Sequence, residues 1–191
     1  MTFLHRYLFA TMWGIWALYW WVASANVKHA IRRESLASRI MHIAPLAIAA
    51  LLLLGRPGIL FPLLDLRLLP RAEYVFWTGA GLAAAGLLFT VWARLHLGGN
   101  WSGIVTIKER HELVASGPYR FVRHPIYAGL LLAFAGSAVA LGDLRGVLAV
   151  AIAFAALWRK LQIEERWLSE EFGDAYAAYR RRVAALVPFI L

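Results

Sequence analysis

The stretch "YVFWTGAGLAAAGLLFTVWARLHL", residues 74–97, carries one arginine, one histidine and no acidic residue in an otherwise apolar and small-residue run. An α-helix rises ~1.5 Å per residue, so about 20 such residues cross the ~30 Å hydrocarbon core of a bilayer. The run is long enough to span, and it sets the reading of its neighbours. Residues 7–25 form a second stretch of this kind. Residues 37–54 form a third, apolar after Arg39 and ended by "GRPG" at 55–58, where Gly and Pro stop a helix. Residues 125–141 and 146–163 follow, joined by "GDLRG", a tight turn on Gly142 and Gly146. Residues 59–69 are too short to cross and are expected at the interface. The last segment, "QIEERWLSEEFGDAYAAYRRRVAAL" (162–186), is charged and amphipathic and reads as a helix leaving the membrane.

Composition agrees. The 191 residues are 61% hydrophobic, 14% aromatic and 16% charged, with a mean hydropathy of +0.61. Soluble domains carry about 25% charged residues. The expected fold class is therefore all-α, a polytopic integral membrane protein of about five transmembrane helices forming one domain, 1–191. The Trp-rich start, residues 1–25, ends in small residues as a signal peptide does, but its broad apolar core favours an uncleaved first span. Cysteine is absent, which excludes disulfides, a thiolate nucleophile and Cys-based metal sites. The net charge of +9 belongs to loops flanking spans, and with no basic tract or binding motif it does not indicate nucleic acid. No internal repeat stands out, which weakens a transporter reading.

Five spans put the termini on opposite sides. With the C-terminus inside, that side holds 15 of the 20 Lys and Arg residues, the excess that cytoplasmic loops carry. The expected location is a bacterial inner membrane or its equivalent, with the C-terminus cytoplasmic. The two most polar segments, 98–124 and 162–186, then share one face, which makes that face the candidate site.

Charge at membrane level is costly and points to function. Two clusters qualify: "HELVASGPYRFVRHPIY" (111–127) and "WRKLQIEERWLSEEFGDAYAAY" (158–179). In the second, Lys160 and Glu164 are four apart and share a helical face. Plainer readings stand beside these. Arg123 can snorkel, Tyr127 can belong to an interfacial belt, and Pro125 is suited to a helix start. Asn100 in "GGNWSG" can be a turn residue. Glu165, Glu170, Glu171, Arg166 and Arg180–Arg182 can form a solvated charge belt. Trp13, Trp16, Trp20 and Trp21 read as belt or packing residues, and His42 and His96 as interfacial histidines rather than haem ligands.

Taken together, "LVASGPYRFVRHPIYAG" followed by "EERWLSEEFGDAYAAYRRRV" and Pro188 resembles the isoprenylcysteine carboxyl methyltransferase family, kin of the membrane phospholipid N-methyltransferases. The resemblance covers residues 100–188, which it marks as the cofactor-binding and catalytic part, and leaves the spans within 1–99 unmatched. It implies methyl transfer from S-adenosylmethionine, with S-adenosylhomocysteine as product, to a lipophilic acceptor at the cytoplasmic membrane face. Carried over by position, the cofactor residues are His111, Glu112, Leu113, Val114, Tyr119, His124, Pro125, Ile126, Tyr127 and Glu164. The catalytic and acceptor-side candidates are Arg123, Lys160, Asn100 and Glu165; no metal is implied. Where the family places an acceptor-side arginine this chain has Lys160, which keeps the charge and loses the bidentate fork.

The residue types suit that chemistry. A carboxylate such as Glu164 fits an ammonium or a ribose hydroxyl, Arg or His fits a carboxylate, and Tyr119, Tyr127 or Trp158 can face a sulfonium. A carboxylate acceptor needs no base; an amine acceptor would draw on one, such as Glu165 or His111. The expected partners are a lipid-like substrate and membrane lipids. A prenylcysteine-like or lipidic acid leads, with amine and thiol acceptors open and a non-catalytic membrane binding protein as the alternative of another class.

Overall fold

The computed structural model describes residues 3–24, 30–55, 61–98, 106–108 and 113–188. Among these the chain forms five long helices: α1 (Phe3–Ala23), α2 (Leu36–Leu54), α3 (Glu73–Leu97), α4 (Pro125–Leu141) and α5 (Leu144–Arg182). Three of them, α2, α3 and α5, are long and apolar enough to cross a membrane, and α4 is a shorter apolar helix of 17 residues. α1 is 21 residues long and rich in Trp and Tyr, side chains that favour the membrane–water interface.

Local sequence explains the ends. Ser35 caps α2, its side chain accepting from the Ser38 amide. His124 precedes Pro125, whose fixed φ and missing N–H suit the first helical position of α4. Gly142, at φ 68°, closes α4 in the left-handed conformation. The expected turn on Gly142 and Gly146 is tighter than the sequence suggests: α5 has begun by Leu144, and Gly146 is a helical residue packed against Ala138. The fifth span runs on into the amphipathic segment without interruption as far as Gly173, because no Gly or Pro stands within residues 147–172. At ~1.5 Å per residue this far exceeds a ~30 Å bilayer core, so roughly residues 144–163 fit within it and the remainder projects beyond.

The tightest packing joins α3 and α4. Glycines seven apart on each helix, Gly79 and Gly86 against Gly129 and Gly136, bring backbone against backbone. A Cβ added at Gly136 would lie 2.4 Å from the Ala83 amide nitrogen. Lipid supplies no hydrophobic drive for helix pairing, and small residues let dispersion contacts replace it. α1 is tied to this pair by indole hydrogen bonds, Trp13 to Ser137 (3.1 Å) and Trp16 to Thr90 (2.7 Å). Ala49, Leu53, Phe134, Ala149 and Ala153 join α2, α4 and α5 in a second buried layer.

The loops gather at two ends. At one, a 3-10 turn (Pro62–Asp65) and the residues after it meet the α4–α5 turn, where Arg67 and Asp143 form an isolated antiparallel bridge. At the other, β1 (Ala30–Arg33) pairs antiparallel with β2 (Thr106–Lys108). This ribbon is an addition to the expected all-α design. It lets two connections on the same end satisfy part of their backbone hydrogen bonding on each other.

Candidate functional site

The site is built from the segment before α4 and the far half of α5. Gly117, at φ 57°, opens a 3-10 turn (Gly117–Arg120). The turn passes so close to the His96 ring that an added Cβ would sit 2.6 Å from it, and His96 Nε2 lies 2.9 Å from Ser116 Oγ. Tyr119 is thereby buried, with its carbonyl accepting from the Tyr179 hydroxyl. The chain then pairs with the C-terminal segment: the amides of Arg123 and His124 donate to the carbonyls of Ala184 (2.8 Å) and Ala185 (3.0 Å).

Glu165 is the hub. Its Oε1 accepts from Arg123 Nε (2.8 Å) and the Tyr176 hydroxyl (2.8 Å) and lies 3.0 Å from His124 Nε2, while Arg180 Nε lies 2.9 Å from Oε2. Arg123 also donates to the carbonyls of Val183 and Arg180. In a straight helix, residues 165 and 180 would stand about 22 Å apart along the axis. They meet because Gly173, at φ 49° and ψ −122°, breaks the helical path inside α5, a conformation that only glycine adopts readily.

Glu164 faces a different set. It accepts from the Tyr127 hydroxyl, and its Oε2 lies 3.6 Å from His124 Nδ1. The His124 and Tyr127 rings stack with centroids 5.4 Å apart, and Lys160 Nζ stands 5.4 Å from the Tyr127 centroid on the same stretch of α5. The Glu165 side chain is 7% exposed and that of Glu164 is 22%, so Glu164 is the more accessible of the two carboxylates.

These contacts set the protonation states. Burial works against charge on His124, but hydrogen bonds to Glu164 and Glu165 outweigh it and hold its pKa above the ordinary histidine value. Burial likewise opposes ionised Glu165, yet His124, Arg123 and Tyr176 pull its pKa down to about 2. Glu164 is lowered against burial by His124, Lys160 and Tyr127. Tyr179 is raised to about 12, chiefly by burial. Two carboxylates and an imidazolium therefore coexist in ionised form. Glu165, already engaged by four donors and with so low a pKa, is a weak proton acceptor.

The structure thus brings together Tyr119, Arg123, His124, Pro125, Ile126, Tyr127, Lys160, Glu164 and Glu165. Leu113 and Val114 lead into the turn and are half-buried. Asn100, His111 and Glu112 lie outside the described residues. Glu170, Glu171 and Arg166 are exposed, as a solvated belt requires, whereas Glu165 and Arg180 are drawn into the cluster. Sequence reasoning missed Tyr176 and Arg180 as partners of Glu165; the signal that could have found them is the lone glycine at 173 between two helical runs. His42, read from the sequence as an interfacial histidine, is instead buried, 1% exposed, with Nε2 3.3 Å from Glu34 Oε1. Among the described residues no group of three His, Asp or Glu side chains is arranged to hold a metal.

An apolar groove of about 810 Å³ runs between α4 and α5, lined by Leu131, Ala135, Val150 and Phe154 among others. Val122 and Leu186 are also among its lining residues, so the groove reaches the backbone pairing that carries Arg123 and His124.

The chain is similar to known membrane proteins. Protein-S-isoprenylcysteine O-methyltransferase A of Arabidopsis thaliana is 33% identical over 137 residues, 67% of this chain and 68% of that one. Protein-S-isoprenylcysteine O-methyltransferase B of the same plant is 30% identical over 118 residues, covering 59% of this chain; the alignment spans 58% of that relative's length. The solved structure of a eukaryotic intramembrane Ras methyltransferase, isoprenylcysteine carboxyl methyltransferase, shares the fold, with a TM-score of 0.55 and 23% identity over 84% of this chain and 55% of that one. The family model for phospholipid methyltransferases matches residues 74–175, more than half of the chain, from the start of α3 to just past the Gly173 break. That span contains both the small-residue pairing of α3 with α4 and the two carboxylates with their His124 partner: the chain belongs to the phospholipid methyltransferase family.

Proposed function

We propose that this protein is a membrane methyltransferase that uses S-adenosylmethionine to methylate a lipophilic acceptor, with carboxyl O-methylation of a prenylcysteine-like acid as its reaction. One observation carries the reading: the apolar groove between α4 and α5 reaches Val122 and Leu186, beside the ionised cluster of Arg123, His124, Glu164 and Glu165. A ligand that fits such a junction has a greasy body and a polar end. The positive-charge excess supports a cytoplasmic site.

The residues suit the cofactor. Glu164, the more accessible carboxylate, would hold its ammonium or ribose hydroxyls; Tyr127 and Tyr119 would face its cationic region; the backbone at Leu113 and Val114 would meet its adenine. When bound, S-adenosylmethionine supplies an electrophilic methyl group on its sulfonium. The chain aligns the acceptor and excludes water, and a carboxylate nucleophile, already ionised, asks for no base. On this reading Glu165 positions Arg123 and His124 rather than moving a proton.

The test offers radiolabelled S-adenosylmethionine to the purified protein with a prenylcysteine acid, phosphatidylethanolamine and a long-chain thiol in parallel. Base-labile volatile label in the prenylcysteine arm is expected. Label only in phosphatidylethanolamine, stable to base, would replace the carboxylate reading with amine methylation. Transfer to the thiol alone would do the same for thiol methylation. No cofactor binding by calorimetry would remove the enzyme reading.

A further inference from the structure

His96 stands in the last turn of α3, outside the cluster around Glu165, and faces the 3-10 turn that leads to α4. Its Nε2 lies 2.9 Å from Ser116 Oγ, and its ring leans on Gly117, where an added Cβ would fall 2.6–2.8 Å from three ring atoms. It also stacks on Tyr119, with centroids 6.4 Å apart and ring planes 26° from parallel. Three of the four residues from Ser116 to Tyr119 thus meet one side chain of another helix. Gly117 gives the turn little stiffness of its own, since glycine has the widest choice of conformations. Its order has to come from outside. The post that supplies it is firm. Two residues before His96, the buried Arg94 donates to the Gly98 carbonyl (2.8 Å) and the Ala23 carbonyl (2.8 Å), closing the end of α3 and tying it to the end of α1. From the other side the Tyr179 hydroxyl donates to the Tyr119 carbonyl. The turn is held between α3 and the far part of α5.

We propose that His96 is a positioning residue for the cofactor: it fixes the turn from Ser116 to Tyr119, and with it Tyr119 and the approach of Leu113 and Val114, before the cofactor arrives. This rests on the cofactor reading of the function. A ligand that meets a turn already in its bound shape loses no affinity to ordering it. The inference gives α1 and α3 a share in a site otherwise drawn from the C-terminal half of the chain.

The test is binding of S-adenosylhomocysteine by calorimetry in nanodiscs, beside thermal unfolding of the ligand-free protein. Wild type is expected to bind. His96→Ala should lose about tenfold in affinity, the combined loss of one neutral hydrogen bond and one ring contact. Its unfolding temperature should hardly change, because the histidine is exposed. His96→Phe, which keeps a ring on Gly117 and Tyr119, should recover affinity to within about threefold of wild type, the remainder being the lost hydrogen bond. Ser116→Ala should lose about threefold in wild type and nothing further in His96→Phe, where that bond is already gone. If His96→Ala fails to fold, the His96→Phe and Ser116→Ala arms carry the same comparison. Wild-type affinity in His96→Ala overturns the positioning role, whatever happens to its unfolding temperature. So does a loss that His96→Phe does not recover, or a Ser116→Ala loss that adds in full to that of His96→Phe. A wild type that binds no S-adenosylhomocysteine overturns the cofactor reading itself, and this inference with it.

Discussion

The two ends of the bundle use the same ingredients, arginines and carboxylates, in opposite ways. At the α4–α5 turn, Arg67 spends its guanidinium on the carbonyls of Leu141 (2.8 Å) and Leu69 (3.0 Å), and Arg145 reaches the Gly55 carbonyl (2.7 Å). The Leu68 and Leu69 amides close on the Gly142 carbonyl, and Leu144 donates to Leu66. Side chains there finish backbone that a turn leaves open, with one ion pair, Arg145 to Asp143 (3.2 Å), beside them. At the other end, Glu165 gathers four side chains, and Glu164 and His124 face each other beside it. Charges that satisfy backbone make a latch. Charges that satisfy one another leave one carboxylate, Glu164, accessible beside them.

The comparison breaks first at Glu165. Removing a buried partner of several cations costs about 3–5 kcal/mol, so Glu165→Leu should lower stability in detergent by that much and abolish cofactor binding, measured by thermal unfolding and calorimetry. The pH profile sharpens the point. The folded pKa of Glu165, about 2, lies below the usual 4.5, so its contribution is complete above pH 4.5 and is lost as pH falls toward 2. His124 is raised above 6.5, so its contribution is complete below pH 6.5 and is lost as pH rises through the folded value. Thermal stability should therefore be greatest between these limits, and Glu165→Gln should flatten the profile.

Glu164→Gln should act on ligand rather than fold. Cofactor affinity should fall by about 1.5–3 kcal/mol, as expected for a hydrogen bond to a charged group, with the unfolding temperature nearly unchanged. Glu171→Gln, on the exposed face, should change neither; equal behaviour of the two variants would reduce Glu164 to a surface charge. Gly173→Ala meets no neighbour within 4 Å, so its cost is the backbone conformation alone, about 1–3 kcal/mol. It should weaken cofactor binding with it, because Tyr176 and Arg180 lie beyond the break. The smallest effect belongs to the latch: Asp143→Asn, which loosens its 3.2 Å contact with Arg145, should cost about 1 kcal/mol and leave cofactor affinity at the wild-type value by calorimetry.

The helices were legible because an apolar run of sufficient length has few other uses, and the members of the charge cluster because an arginine, a histidine and paired glutamates are out of place beside such runs. The break inside α5 was not. The change from "AFAALW" to "RKLQIEER" reads as a helix leaving the membrane, which it is, but the backbone itself changes only at Gly173. The hub at Glu165 was hidden for a related reason: a contact across fifteen residues depends on one glycine's φ, which composition does not reveal. His42 read as an interfacial residue because its neighbours Glu34 and Lys160 come from separate segments.

The Gly173 break has a consequence for biosynthesis. The amides of Arg123 and His124 wait for carbonyls some sixty residues downstream, and Glu165 waits for Tyr176 and Arg180. A ribosome therefore delivers every span before the residues that close the cluster around Glu165. Until α5 has been threaded and its tail folded back, the nascent chain carries His124 and two glutamates without most of their partners. Membrane insertion and the closure of the charge cluster are separate events, in that order.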